Sequence, residues 1–415
     1  MMKSLLDWTL GGATPVRPAA QFVGQHVMET FEDATEAYDR GDHSTAIRIF
    51  RLLADQGNAE AQSKLGFIYN NGKGVPRNLT EAIEWYRLAA DQGEAVAQSN
   101  LGVFYQNGEG VPQDYAEALS LHRKAADHGH AYSQLCLGLM YAKGEGVAKD
   151  FAEAAKWYRL AADQGNAAAQ NLLGLMHATG VGLPQNYAAA MRCFRKAADQ
   201  GDAEAQYNLA RMYANGNRIP RDYVAAATWC RKAADQEHAD AQYNLGRMFA
   251  NGEGVGQDYV AALSWYRKAA DQGQADAQTA LGAMYADGEG VPQDHVSAVG
   301  WFRRAADQRN ALAQRNLGFH YLKGMGVQPD DATAMDWFRK AAEQGNAEAQ
   351  YFLGVTYYIG GLGILQDCVS ALKWSILAAT GGNTAAERNV KSMSAHLAQE
   401  QIAEAQQLAR QWRPK

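Results

Sequence analysis

One feature constrains this chain more than any other: the pair Ala-Gln returns every 36 residues. It stands at Ala61-Gln62, Ala97-Gln98, Ala169-Gln170, Ala205-Gln206, Ala241-Gln242, Ala277-Gln278, Ala313-Gln314 and Ala349-Gln350, and Ser133-Gln134 fills the remaining step. A period of this length marks a repeat architecture, in which one unit cannot bury its apolar face alone and stacked neighbours supply the rest. Length alone would suggest several domains for 415 residues. The period replaces them with one array.

A single unit reads as helix, turn, helix. Ala97, Leu101 and Tyr105 are spaced by four and share one helix face. Gly108 and Gly110 stop that helix, because glycine takes positive φ at little cost. Pro112 keeps the chain from resuming it. Asp114 then caps a second helix, and Glu117 three residues on is expected to complete a capping box, as Asp150 with Glu153 and Asn78 with Glu81 also would. Ala82, Trp85, Tyr86, Ala89 and Ala90 form the apolar face of such a second helix. Gly93 ends it, and Asn58, Asn166 or Asn346 caps the next. The 41 glycines, against 9 prolines, are therefore punctuation. Seven of them, Gly66, Gly102, Gly138, Gly174, Gly246, Gly282 and Gly318, fall inside a helix. Glycine there costs about 1 kcal/mol against alanine, so close helix approach is expected at each. Ala210 takes the slot once.

The pattern A-x-x-L-G-x-x-Y-x-x-G-x-G-V-P-x-D, followed by A-x-x-W-Y-R-K-A-A-D-Q-G, resembles the Sel-one-like repeat family, a 36-residue relative of the tetratricopeptide repeat. Nine units are expected over residues 61–385. The resemblance implies an all-α, right-handed α-solenoid of antiparallel helix pairs, about eleven pairs with the caps. Departures are local. Arg218 replaces a loop glycine, Gly256 replaces the loop proline, Leu121 and Cys193 replace the tryptophan, and one residue is gained near Gly360-Gly361-Leu362-Gly363. Residues 31–60 resemble a tetratricopeptide unit and serve as the N-terminal cap. Residues 386–415 read as capping helices, with Ile402, Leu408 and Trp412 turned inward. Residues 1–30 lack the period and read as a mostly disordered leader. Lys3 with Leu5-Leu6 hints at a signal peptide, but Asp7 interrupts the run.

Chemistry is sparse. There is no H-E-x-x-H, G-x-S-x-G or P-loop. Ser370 and Lys373 match S-x-x-K, but the companion S-D-N and K-T-G motifs are missing. Cysteine-rich relatives of the family are linked to β-lactam binding. Here Cys136, Cys193, Cys230 and Cys368 lie in different units and do not pair as those relatives do. His122, His128 and His130 are close in sequence and read as parts of a polar turn rather than as metal ligands. Met140, Met176, Met212, Met248 and Met284 read as a packing column, with His320 in the same slot. No metal or cofactor is expected. A net charge of −6 and a pI near 6.0 argue against a nucleic-acid binder, and no apolar run is long enough to span a membrane. Pairs such as Arg195-Lys196, Arg231-Lys232 and Arg267-Lys268 read as a solvated face favoured late in a helix.

Resemblance to tetratricopeptide repeats implies that the first helices line a concave face. The expected function is a non-enzymatic scaffold or adaptor that binds a protein or peptide there, in bacterial signalling or envelope regulation. A secreted host-interacting factor is the alternative. Cytoplasmic placement is expected, and a monomer is compatible with the pattern. The groove positions projected from that geometry give Phe67, Val103, Leu139 and Leu175 as an early apolar stripe. They then give Tyr207 with Arg211, Tyr243 with Arg247, Arg315 with Phe319, and finally Tyr351. Tyrosine and arginine are the types that dominate binding hot spots. Arg211 and Arg247 have a competing use: they could pair internally with Glu204, Asp240 and Asp276.

Overall fold

The computed structural model describes residues 29–216, 220–363 and 365–414. Residues 1–28 of the expected leader and Arg218 lie outside the described residues, whereas Glu29 pairs with Arg48 and Thr30 caps the first helix. The rest is all-helical: 22 α-helices, mostly of 13 residues, alternate as antiparallel pairs. They group into two compact units that divide after His128, so the first two repeats fall with the N-terminal helices.

The first unit holds α1 (Phe31–Asp39), α2 (His43–Asp55), α3 (Ala59–Asn71), α4 (Leu79–Asp91), α5 (Ala95–Asn107) and α6 (Tyr115–Asp127). The second holds α7 (Ala131–Lys143), α8 (Phe151–Asp163), α9 (Ala167–Thr179), α10 (Tyr187–Asp199), α11 (Ala203–Asn215), α12 (Tyr223–Asp235), α13 (Ala239–Asn251) and α14 (Tyr259–Asp271). It continues with α15 (Ala275–Asp287), α16 (His295–Asp307), α17 (Ala311–Lys323), α18 (Asp331–Glu343), α19 (Ala347–Ile359), α20 (Cys368–Thr380), α21 (Thr384–Ser394) and α22 (Gln399–Gln411).

The turns form as the residue types dictate. Gly108 ends α5 at φ 70° and donates its N–H to Phe104. Asn58, Asn166 and Asn346 each cap a first helix by accepting the N–H three residues on, at 2.8–2.9 Å. The capping boxes expected at Asn78, Asp114 and Asp150 form only by half. Each cap side chain accepts from the third helical N–H. The cap backbone N–H, however, is already donated to a tyrosine carbonyl of the preceding helix: Tyr69, Tyr105 and Tyr141, each at 2.9 Å. In the ninth repeat the gained residue changes the turn. Gly360 takes φ 77° and ψ 163° instead of the left-handed helical cap, and Asp367 N–H still reaches Tyr357 at 2.9 Å.

The mid-helix glycines sit where helices touch. A Cβ on Gly138 would lie 2.4 Å from the Tyr158 ring, and one on Gly246 2.7 Å from Tyr266. Van der Waals contact between carbons needs about 3.5–4.0 Å, so only hydrogen fits. Where Ala210 takes the slot, the aromatic of the following helix is replaced by the smaller Cys230, and both are buried in one cluster.

A glutamine relay ties successive second helices together. Gln242 donates to the buried Ala234 carbonyl at 3.1 Å and accepts from Gln272 at 2.8 Å. The same bond joins Gln62 to Gln92, Gln134 to Gln164, Gln170 to Gln200, Gln206 to Gln236, Gln278 to Gln308 and Gln314 to Gln344. A buried glutamine is tolerable only with such partners, which gives the repeated Gln a structural reason.

Candidate functional site

The projected positions separate by residue size. At the third position of each unit Ser63, Ser99, Leu135, Asn171 and Thr279 are buried, so small or compact residues there never reach a surface. Tyr207, Tyr243, Arg315 and Tyr351 are large enough to emerge and are half-buried. Phe67 and Val103 belong to the first unit and Leu139 and Leu175 to the second, and all four are half-buried. Phe67, Leu139 and Leu175 pack against the cores of their units.

The remaining cluster lies in the second unit, on α11 and α13. Arg211 lies over the Tyr207 ring at 5.6 Å. Four-residue spacing on a helix makes that contact. Tyr207 is fixed from its other side by the His238 ring, with centroids 4.8 Å apart, and its hydroxyl accepts from Asn244 at 2.9 Å. Tyr243 packs on Tyr266 at 5.8 Å. Arg247 follows Tyr243 by the same four residues. Burial pushes both phenols, Tyr207 and Tyr243, above their usual range, so both are neutral donors.

Arg211 and Arg247 are exposed, and among the described residues neither has a salt bridge. The acids that could have taken them are engaged elsewhere. Glu204 meets His238 Nε2 at 3.0 Å. That bond holds the histidine above its ordinary pKa and the carboxyl below its own. Asp240 accepts from Gln274 at 3.3 Å, and Asp276 from Asn310 at 2.8 Å. In each case the residue capping the next first helix takes the acid. His238, Asn244 and Glu204 were absent from the sequence-derived site. Their only signal was position, since His238 stands in an N-cap slot and Glu204 in the first turn one repeat earlier.

Arg315 behaves differently. It pairs with Glu348, donates to Asn316 at 2.6 Å and lies over Phe319 at 5.9 Å. Phe319 packs edge-on against Phe338 at 4.8 Å. This pair is a tie between helices. Tyr351 is half-buried at the same position one repeat later.

The other candidates resolve as structural parts. His122 is fully buried beneath Gly102, His128 is exposed at the end of α6, and His130 caps α7. No group of three or more His, Cys, Asp or Glu among the described residues is placed to hold a metal. The five column methionines and His320 are buried. Ser370 N–H donates to the cap Asp367, and Lys373 lies over Trp374 at 4.4 Å. The arginine–lysine pairs do more than face water. Arg195 donates to Tyr213 at 2.8 Å, Arg267 donates to Tyr285, and Lys232 lies over Trp229 at 3.9 Å. At the C-terminus Ile402 joins the core, whereas Leu408 is exposed, because Ala405 and Ala409 form the buried face of α22.

The helix pairs, their glycine turns and their 36-residue step match the Sel1 repeat model nine times in tandem, from residue 59 to residue 383. The chain belongs to the Sel1 repeat family. Two solved Sel1-type structures are similar to it. One is c5321 from uropathogenic Escherichia coli, described as a protective antigen displaying an SLR fold. It is 35% identical, with 92% of this chain and 90% of that one covered and a TM-score of 0.60. The other is a Sel1 repeat protein from Oxalobacter formigenes, 33% identical over 59% of this chain and 96% of that one, with a TM-score of 0.56. A comparison with curated proteins found no match. Sel1 repeat proteins are in general protein-interaction scaffolds, and the fold is typically non-enzymatic. Among the described residues no helix is long and apolar enough to cross a membrane.

Proposed function

We propose that this Sel1 repeat protein is a non-enzymatic adaptor that holds a protein or peptide partner on the first-helix face of its second unit. Tyr207, Arg211, Tyr243 and Arg247 would be the central contacts. One observation carries the reading. Two exposed arginines, 36 residues apart, stand beside packed tyrosines, while Glu204, Asp240 and Asp276 each bond to another residue. A guanidinium in that state is available for a carboxylate from outside, with two parallel hydrogen bonds. The preset tyrosines spare the ordering entropy that a flexible surface would lose on binding. The partner is therefore expected to carry acidic groups flanked by apolar or aromatic ones.

The test is a pull-down with wild type, Arg211→Gln/Arg247→Gln, and Tyr207→Ala/Arg211→Ala/Tyr243→Ala/Arg247→Ala, with circular dichroism confirming the helix content of each. Loss of a captured protein with both variants supports the reading. Equal capture of every protein by all three overturns it.

Cytoplasmic placement is part of the same proposal. The likeness to a protective antigen of uropathogenic E. coli favours the alternative of a displayed or released binding protein. Fractionation decides between them, since recovery outside the producing cell would favour the second.

A further inference from the structure

The relay of glutamines fails at one place in the first unit. Gln98 donates to the Ala90 carbonyl at 3.1 Å, as its counterparts do. Its Oε1, however, is buried and has no hydrogen-bond partner among the described residues. The glutamine that would donate to it is replaced by His128, which is exposed at the end of α6. In the same repeat the second-helix tryptophan is replaced by Leu121. Both changes border one cavity of about 570 Å³, set over α5 between the end of α4 and α6. The equivalent place in the second unit keeps both residues. There Trp337 and Gln344 border a cavity of about 330 Å³, and Gln344 satisfies Gln314 at 2.7 Å.

The sister repeats show what this space is shaped to hold. At the position of Lys124 a cation lies over the repeat's own tryptophan: Lys232 at 3.9 Å from Trp229, Lys268 at 4.1 Å from Trp265, Lys340 at 3.8 Å from Trp337. Lys124 has Leu121 in place of that tryptophan, and among the described residues it makes no cation–π contact or salt bridge. The cavity thus offers a cation without its ring, an apolar floor of Leu101 and Leu121, and a buried acceptor without its donor. Its volume falls in the range of small-ligand sites, about 300–1,000 Å³. Arg87 and Lys124 are offset by Asp91, Glu117 and Asp127, so a charged ligand gains little.

We propose that this cavity binds a neutral aromatic ring bearing an N–H donor, of which indole is the model. The ring would lie under Lys124, as tryptophan does in the sister repeats, and a turn of the Gln98 side chain would present its buried Oε1 to the ring N–H. The free heterocycle and a tryptophan side chain of a partner share this chemistry. The site is lined by the first unit and stands independently of the tyrosine–arginine face.

The experiment is equilibrium dialysis and saturation-transfer NMR of the full chain with indole, 1-methylindole, N-acetyltryptophanamide and the tripeptide Gly-Trp-Gly amide. Saturable 1:1 binding of indole or of either tryptophan compound is expected. If indole binds, 1-methylindole should bind about fivefold more weakly, the loss of one hydrogen bond to a buried acceptor. Stronger binding of the tripeptide than of indole assigns the source to a partner chain, and the reverse order assigns it to a small molecule. The variant Leu121→Trp/His128→Gln rebuilds the sister geometry and should unfold at higher temperature while losing all binding. Lys124→Ala, which leaves the packing alone, should weaken binding severalfold. No saturable binding of any probe, or equal binding to the rebuilt variant, overturns the proposal and leaves a cavity holding only water.

Discussion

Substituting Gly246 by alanine should destabilise the protein in one background and stabilise it in another. The added Cβ would lie 2.7 Å from Tyr266 Cδ1 and 2.8 Å from Cε1. Relaxing to an ordinary carbon contact needs a shift of about 1 Å. Tyr266 is buried and held by Tyr243, so it has nowhere to move without disturbing that ring. Overpacking of this kind costs about 1–3 kcal/mol, and the better helix propensity of alanine returns about 1 kcal/mol. The net effect is a loss of up to about 2 kcal/mol. With Tyr266→Cys in place, the obstacle is gone and the propensity gain of about 1 kcal/mol remains. Gly246→Ala then becomes stabilising. The expected coupling is about 1–3 kcal/mol, above the scatter for independent sites. The preceding repeat already carries the compensated pair, Ala210 with Cys230. Repeat arrays need not unfold in one step, so hydrogen exchange of the α13 and α14 amides should be measured beside urea unfolding. An effect of the same sign in both backgrounds would refute the reasoning.

Acid sensitivity should come from the second-helix caps. Hydrogen bonds from Thr333 hold Asp330, and from Ser297 hold Asp294, below the usual carboxylate range. Because the folded pKa is lowered, their contribution is present above the unfolded value of about 4 and is lost as pH falls through the folded value. The urea midpoint should drop as pH falls below about 4, and the drop should be shallower in Asp330→Asn and Asp294→Asn. Arg309 occupies a turn slot where Gly93, Gly165, Gly201, Gly273 and Gly345 also take positive φ, and it does so at φ 65°. Arg309→Gly should stabilise by about 0.5–1 kcal/mol, as left-handed backbone costs a side chain about 1–2 kcal/mol and glycine's unfolded-chain entropy takes part of that back. Arg309→Val should lower the urea midpoint. Burial pushes the thiols of Cys136 and Cys230 up to about 12, so a disulfide reagent at pH 8 should label them only on unfolding. The half-buried Cys193 and Cys368 should react in the native protein.

The features legible from the residues alone are those that depend on near neighbours in the chain. Helix faces, glycine turns and N-caps depend on neighbours three or four residues away, and these were legible in Ala97, Leu101 and Tyr105, in Gly108, and in Asn166. The Gly246 contact was also foreseeable, because a glycine that repeats inside a helix needs a close neighbour. The tertiary structure decided the bonds that cross between helices, at separations of 18, 30, 34 and 37 residues: Arg195 to Tyr213, Gln242 to Gln272, Glu204 to His238, Tyr207 to Asn244. Those depend on how whole helices pack against one another, which no local pattern encodes. The same geometry shows why the capping boxes stop at half, why Ser99 vanishes where Tyr207 emerges, and why Arg315 is tied down while Arg211 is not. Leu121 and His128 read as minor departures in the sequence, 7 residues apart on one strand of text. Only packing places them on the wall of one cavity, beside an acceptor that a glutamine satisfies in seven other repeats.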